Sequence, residues 1–275
     1  MFSVNRRNFL HMAGIGLVRG LLGNTRNALH SAAPPPGTRL YQGVNLAEWT
    51  VIVGDAVRPG QPAVTAADIE TLHLTNYSEV RANIQARPEV MVHNLSFHKV
   101  LDDSAFDFVH LCEYKFRLPY LPSTDNIDYN GQTVEGCLAL WNGITRQNYT
   151  VGFQWIVNPY WMTGALQCWT PNKWQPVGEM ALDTEWHTVK MIIDCRRETT
   201  GLQIDSGYYP SCFTKTTGPA DWGNEIATWI SAEAISIDPG EDFSGGMPHK
   251  AQFKDWIWTW EPANTSCVFL PLVQK

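Results

Sequence analysis

Val151-Gly152-Phe153-Gln154-Trp155-Ile156-Val157-Asn158 decides the fold class of this 275-residue chain. Val151, Phe153, Trp155 and Val157 fall at every second position, with Gly152, Gln154, Ile156 and Asn158 between them. A period of two belongs to an extended strand, whose successive side chains point to opposite faces. The stretch Glu113 to Leu118 repeats it: Tyr114, Phe116 and Leu118 share one face, Glu113, Lys115 and Arg117 the other. Such strands fit an antiparallel sandwich with a packed inner face and a second face open to solvent or ligand.

Working outward, further strands are expected at Phe108 to Leu118, Gly136 to Trp141, Ala165 to Thr170, Trp186 to Asp194, Gly201 to Asp205, Trp229 to Ile237 and Gln252 to Trp260, separated by Gly, Pro, Asn and Asp clusters. In the last of these, Trp256, Trp258 and Trp260 are expected on one side and Phe253, Asp255 and Ile257 on the other. Thr65 to His73 alone reads as helical. No internal repeat divides the chain, so residues 41–275 read as one all-β domain.

The N-terminus reads as an address. Asn5-Arg6-Arg7-Asn8-Phe9-Leu10, followed by the apolar, Gly-rich run from Met12 to Leu22, resembles a twin-arginine export signal. Ser31-Ala32-Ala33 supplies small residues before a cleavage point, giving a leader over 1–33. Pro34-Pro35-Pro36-Gly37 opens a stiff linker over 34–40. No later stretch reaches the roughly 20 apolar residues of a membrane span. The expected location is outside the cytoplasm, periplasmic or extracellular.

The formal net charge is −7, and the first 33 residues hold four Arg and no acid. Without those four, 20 basic residues become 16 against 27 acidic, a net of −11. An acidic domain is a poor match for phosphate backbones, so no nucleic-acid partner is expected. Six Cys permit up to three disulfides without choosing the pairs, and the absence of a CxxC spacing argues against zinc. No Gly-x-Ser-x-Gly elbow supports a serine hydrolase.

The order of elements over about residues 105 to 260 resembles the concanavalin A-like lectin/glucanase superfamily. Glu113-Tyr-Lys-Phe-Arg-Leu-Pro119 resembles the strand that enters the cleft in family 16 glycoside hydrolases, and Leu138-Ala-Leu-Trp-Asn-Gly143 the next cleft strand. Trp186-His-Thr-Val-Lys190, Gly201-Leu-Gln-Ile-Asp205 and Phe253-Lys-Asp-Trp-Ile257 resemble strands of the same fold. The resemblance implies a jelly-roll sandwich of two antiparallel sheets and a carbohydrate ligand. It also implies carboxylates at alternate positions of the strand around Gln154, because one must act as nucleophile and one as acid. That strand has none. Family 16-type hydrolysis is therefore not expected.

Ser78-Glu79-Val80-Arg81 is similar to the Ser-Glu-Leu-Arg strand of alginate-lyase-like sandwiches, with Gln154 at their charge-neutralising position. A lyase reading would use Glu79, Arg81 and Gln154 on a uronate. Ile156 stands where that group places its His, leaving His93, His98 or Tyr160 as substitutes.

Five Trp, at 141, 155, 161, 169 and 174, crowd a short span. Indole faces stack on pyranose rings, so Trp141, Trp161 and Trp174 are ligand-binding candidates, the last two from loops. Trp155 alternates with Val151 and Phe153 and reads as core. Glu113, Lys115 and Arg117 read as a polar cleft floor or a solvated ladder. Asp255 matches an Asp that holds structural calcium in some family 16 relatives, an ion suited to carboxylates on a β scaffold. The sequence thus points to an exported carbohydrate-associated sandwich that binds a glycan. The alternatives are a polysaccharide lyase or other glycan-active enzyme, and a non-catalytic structural or interaction protein.

Overall fold

The computed structural model describes residues 39–55, 69–82, 91–101, 103–120, 131–157, 163–170, 173–209, 211, 213–218, 224–237 and 249–262. The leader and Trp161 lie outside them. The elements are β1 (Arg39–Gly43), β2 (Thr50–Asp55), β3 (Ile69–His73), β4 (Ser78–Ala82), β5 (Met91–Leu101), a 3-10 turn (Asp103–Asp107), β6 (Phe108–Arg117), β7 (Gly131–Asn142) and β8 (Gln147–Val157). They continue as β9 (Ala165–Trp169), β10 (Trp174–Glu179), β11 (His187–Asp194), β12 (Thr199–Ile204), β13 (Gly207–Tyr209), β14 (Thr214–Thr217), β15 (Ile226–Ile237) and β16 (His249–Pro262).

Two eight-stranded antiparallel sheets make a jelly-roll sandwich. The back sheet runs β13-β12-β11-β6-β16-β4-β3, with β1 added to β16. The front sheet runs β10-β9-β8-β7-β15-β5-β2, with β14 added to β8. Between the sheets lie Tyr114 and Phe116 of β6, Phe153 and Trp155 of β8, and Phe253, Trp256, Trp258 and Trp260 of β16, all fully buried. Phe116 and Phe153 join the sheets with ring centroids 5.5 Å apart, while Tyr114 stacks on Trp256 at 3.6 Å. Each such side chain contributes about 2–3 kcal/mol by leaving water. The expected alternation in β6 and β8 is therefore the one that builds the core.

Two expectations are corrected. Ile69–His73 is not helical but an edge strand, paired with β4 from Ile69↔Ala82 to His73↔Ser78. That pairing satisfies the backbone of a segment whose own helical preference is weak, and tertiary pairing overrides propensity. In β16, Phe253 does not lie opposite the three Trp but joins them in the core. The register against β6 slips between Lys254↔Lys115 and Ile257↔Glu113, three residues facing a two-residue step. This bulge carries Asp255 at φ 57°, a left-handed conformation that Asp tolerates better than most side chains.

The edges are blunted. β10 carries Pro176 and a register shift before Gly178, and β13 has only three residues. At the β11 end, His187 Nδ1 meets Asp205 Oδ2 at 2.8 Å and Nε2 lies 3.1 Å from Asp183 Oδ1, tying two turns to the core. Among the described residues no helix is long and apolar enough to cross a membrane.

Candidate functional site

The outer face of the front sheet holds the site. Because Val151, Phe153 and Trp155 turn inward, Thr150, Gly152 and Gln154 turn outward, beside Glu135 and Cys137 of β7 and Trp169 of β9. The register brings Glu135 opposite Gln154, and Gln154 opposite Gln167. Gln154 Nε2 donates to Glu135 Oε1, with both side chains buried at 2% and 3% exposure.

A small recess of ≈ 30 Å³ lies next to this pair, lined by Glu135, Cys137, Thr150, Gly152, Trp169 and Trp174 among others. Its aromatic wall is an edge-to-face pair, Trp169 and Trp174, with centroids 5.4 Å apart and planes at 64°. A tight turn sets that geometry: Thr170 N donates to Lys173 O at 2.9 Å, and Thr170 Oγ1 donates to the same carbonyl at 2.7 Å. The floor is Gly152, where a Cβ would find Gly136 O at 3.4 Å and Trp169 Cβ at 3.7 Å. Such contacts are ordinary, so glycine is not imposed here by crowding. The missing side chain leaves floor space instead.

Along β8, two polar atoms flank that floor without hydrogen-bond partners: Thr150 Oγ1 and Gln154 Oε1. Thr150 is 8% exposed. Both atoms are closed off from solvent, and an unsatisfied buried polar atom costs about 1–3 kcal/mol.

The expected site residues are distributed over both sheets. Trp174 lines the recess, but as the first residue of edge strand β10 rather than from a loop. Trp141, on β7, is almost fully buried and does not line the recess. Glu113, Lys115 and Arg117 are half-buried on the back sheet, across the sandwich from Trp174. Arg117 donates from Nε to Gln252 Oε1 at 2.7 Å and lies 4.6 Å above the Trp186 ring, which Lys254 also approaches at 4.2 Å. That neighbourhood is an internally satisfied ladder, continued by Gln252 donating to Glu79, Glu79 pairing with Arg81, and Arg81 reaching Glu70 at 3.3 Å.

The lyase set does not converge. Glu79 and Arg81 belong to β4 of the back sheet, Gln154 to β8 of the front sheet. His93 and His98 fall in β5, whose side chains lie outside the description, as does Tyr160. Asp255 pairs with Lys115 at 3.2 Å, and no group of three or more His, Cys, Asp or Glu suited to a metal occurs among the described residues. Calcium at Asp255 would need further oxygen ligands, such as carbonyls, side-chain amides or water, beyond this carboxylate. Cys168 is disulfide-bonded, whereas Cys112 and Cys195 are buried thiols.

Glu135, Thr150, Gly152 and Trp169 were not singled out by the sequence as ligand contacts. Trp169 carries a signal in its own strand, two positions from Gln167 on the same face. Glu135 is hidden because Gly136 reads as the start of a strand, whereas β7 begins at Gly131.

Solved structures share this architecture. A β-1,3-glucanase from Mycobacterium marinum matches over 82% of this chain and 94% of its own, at 14% identity and TM-score 0.40. The GlcNAcα1-4Gal-releasing endo-β-galactosidase of Clostridium perfringens matches over 86% of this chain and 65% of its own, at 8% identity and TM-score 0.50. Lectin I of Ulex europaeus matches over 84% and 100%, at 9% identity and TM-score 0.46. No protein-family model and no curated protein matches the sequence. At these identities the likeness is one of fold alone, a two-sheet antiparallel sandwich.

Proposed function

We propose that this is an exported domain that binds a glycan in the front-sheet recess, without catalysing its cleavage. The observation that carries the reading is an aromatic wall, Trp169 and Trp174, standing beside a bare glycine floor at Gly152. Stacking on indole and hydrogen bonding to sugar hydroxyls are the two forces a glycan site combines. Hydrolysis would call for two opposed carboxylates, about 5–5.5 Å or 6.5–9.5 Å apart according to outcome. Strand β8 carries none, and Glu135 comes from its neighbour.

The test is titration of the mature chain against a glycan array, followed by calorimetry on the best ligand. Trp174→Ala is expected to weaken binding roughly thirtyfold, the cost of truncating an aromatic anchor. Gly152→Ala places a methyl in the floor at ordinary contact distances. It is expected to raise stability by roughly 0.5–1 kcal/mol, as for Gly→Ala in a strand, while weakening binding. A Gly152→Ala protein that binds as wild type would remove the recess from consideration.

Export is part of the same proposal and rests on Arg6-Arg7. Replacing both by Lys is expected to hold the precursor in the cytoplasm, read by fractionation of a twin-arginine-competent host. Unchanged export of the Lys variant would reject the leader reading.

A further inference from the structure

The outer face of the back sheet carries charge that its own partners do not cancel. Arg117 of β6 and Lys254 of β16 lie 4.6 and 4.2 Å from the ring centroid of Trp186. Arg117 also donates to Gln252, so the partners of these two cations among the described residues are an amide and an indole. Both partners are neutral. An indole face attracts a cation without cancelling its charge. Lys115 adds a third positive charge, directly opposite Lys254 in the register of β6 with β16, where like charges repel.

The neighbouring carboxylates are taken. Asp255 pairs with Lys115 at 3.2 Å, Glu113 stands opposite Lys190, and Glu79 pairs with Arg81, which Glu70 also reaches from β3. Lys250 stands opposite Arg81, so that cluster sums to zero. Matched in this way, the face keeps the positive charges of Arg117 and Lys254 in surplus, in a domain whose residues beyond the leader sum to −11. The surplus is accessible. Arg117, Lys254 and Trp186 are each partly exposed, and the Lys115 side chain is 41% exposed. Tyr77 meets Trp186 edge-on, with centroids 6.0 Å apart, so the cations stand beside an aromatic corner.

We propose that Arg117, Lys254 and Trp186 form a saccharide-binding site on the back sheet, separate from the front-sheet recess, for a sugar residue bearing a carboxylate or a sulfate. The cations attract the acid group, while Trp186 and Tyr77 offer apolar surface to the C–H side of the ring. Two surplus charges against one indole match one acidic sugar residue at a time. A duplex or an anionic membrane asks for a broad basic surface, which a net of −11 does not give. Asp255 moderates the site, because its carboxylate cancels Lys115.

The experiment titrates the full chain by calorimetry with an oligogalacturonate, a sulfated galacto-oligosaccharide and a neutral galacto-oligosaccharide of equal length. Wild type, Lys254→Gln and Asp255→Asn are compared after thermal melts show which are folded. Asn is chosen because it accepts the positive φ of residue 255. The leader's four Arg are present in every protein and cancel in the comparison. Wild type is expected to bind at least one acidic oligomer roughly tenfold more tightly than the neutral one. Lys254→Gln is expected to weaken that binding and Asp255→Asn to strengthen it, each roughly fivefold. The opposite signs are the readout, because loosened packing around β16 would weaken binding in both variants; each has its own direction, so either one alone decides. Raising salt from about 50 to 500 mM is expected to erase the preference. Which acidic oligomer binds assigns the acid group.

The proposal is overturned if neither acidic oligomer is preferred, if Lys254→Gln leaves the preference unchanged, or if Asp255→Asn weakens it. Adsorption to phosphatidylglycerol vesicles without binding of either oligomer overturns it too, since the surplus charge would then serve a membrane. Trp174→Ala is expected to leave acidic binding unchanged, which separates the two sites. A loss there would put the acidic ligand in the recess and overturn the back-sheet site.

Discussion

Deleting Asp255 is expected to abolish cooperative folding, whereas Asp255→Gly is expected to leave stability within about 1 kcal/mol of wild type. Phe253 and Trp256 are both fully buried in the same core although they are three positions apart. In an unbroken strand an odd step sends two side chains to opposite faces. The bulge between Lys254 and Ile257 supplies the extra residue that brings them back together. Without Asp255, either Ala251 and Phe253 or Trp256, Trp258 and Trp260 must turn outward, because a one-residue slip reverses a strand's faces. Removing one large buried aromatic costs about 3–5 kcal/mol, so turning out the three Trp costs roughly 9–15 kcal/mol, comparable with a typical total stability of roughly 5–15 kcal/mol. Turning out Phe253 loses one aromatic and also drives polar Gln252 into the core. Glycine at the same position keeps the bulge and accepts φ 57° more readily than Asp. What it gives up is the pair with Lys115, which is solvent-exposed and worth about 0–1 kcal/mol. Near-ultraviolet circular dichroism and thermal melts of the mature chain decide it. A deletion variant with native-like tertiary signal and a sharp melt would show that β16 does not need its bulge.

That bulge also marks where the sequence stops being legible. Inside β6 and β8 the two-residue period identifies the buried set, because each strand runs unbroken and burial of alternate side chains is what selects its sequence. Across Lys254 to Ile257 the period fails, since a bulge is a property of the pairing with β6 and leaves only an Asp as a trace. The site divides along a similar line. Trp174 is visible because an aromatic in a polar stretch is conspicuous, yet its partner Trp169 gains meaning only once β10 folds back on β9. Glu113, Lys115 and Arg117 read as one polar face and are one, but which sheet they occupy is fixed by strand order, which periodicity does not encode. Glu135 was obscured by Gly136. There a Cβ would stand 1.9 Å from Tyr114 Oη and 2.6 Å from Phe153, so the glycine is required by packing inside a strand rather than by a break before one. Gln154 is conspicuous in the sequence and stands near the recess, but with a different neighbourhood: Glu135 beside it, and Arg81 on the other sheet.

His110 is expected to make the domain lose about 3 kcal/mol of stability as pH falls from 6.5 to about 4, and His110→Phe is expected to abolish that component. The ring is fully buried in β6, with centroids 6.0 Å from Trp258 and 5.7 Å from Trp260. Nε2–H donates to Ala105 O at 2.8 Å, and Nδ1 has no hydrogen-bond partner. Burial in this apolar setting pushes its pKa down to about 4, against the opposing hydrogen bond to the Ala105 carbonyl. Above pH 6.5 the imidazole is neutral in both folded and unfolded chains and contributes no pH dependence. Below it the unfolded chain gains a proton that the folded core refuses, so unfolding becomes easier by about 1.4 kcal/mol per pH unit until the folded pKa is reached. Phenylalanine fits the aromatic surroundings but cannot titrate, at the cost of the Ala105 bond, a constant offset at every pH. Urea denaturation of both proteins at pH 7.5, 5.5 and 4.5 separates the two effects. Carboxylates titrating at the acid end are common to both chains and cancel in the difference. Parallel stability profiles for wild type and His110→Phe would mean that the core admits the proton after all.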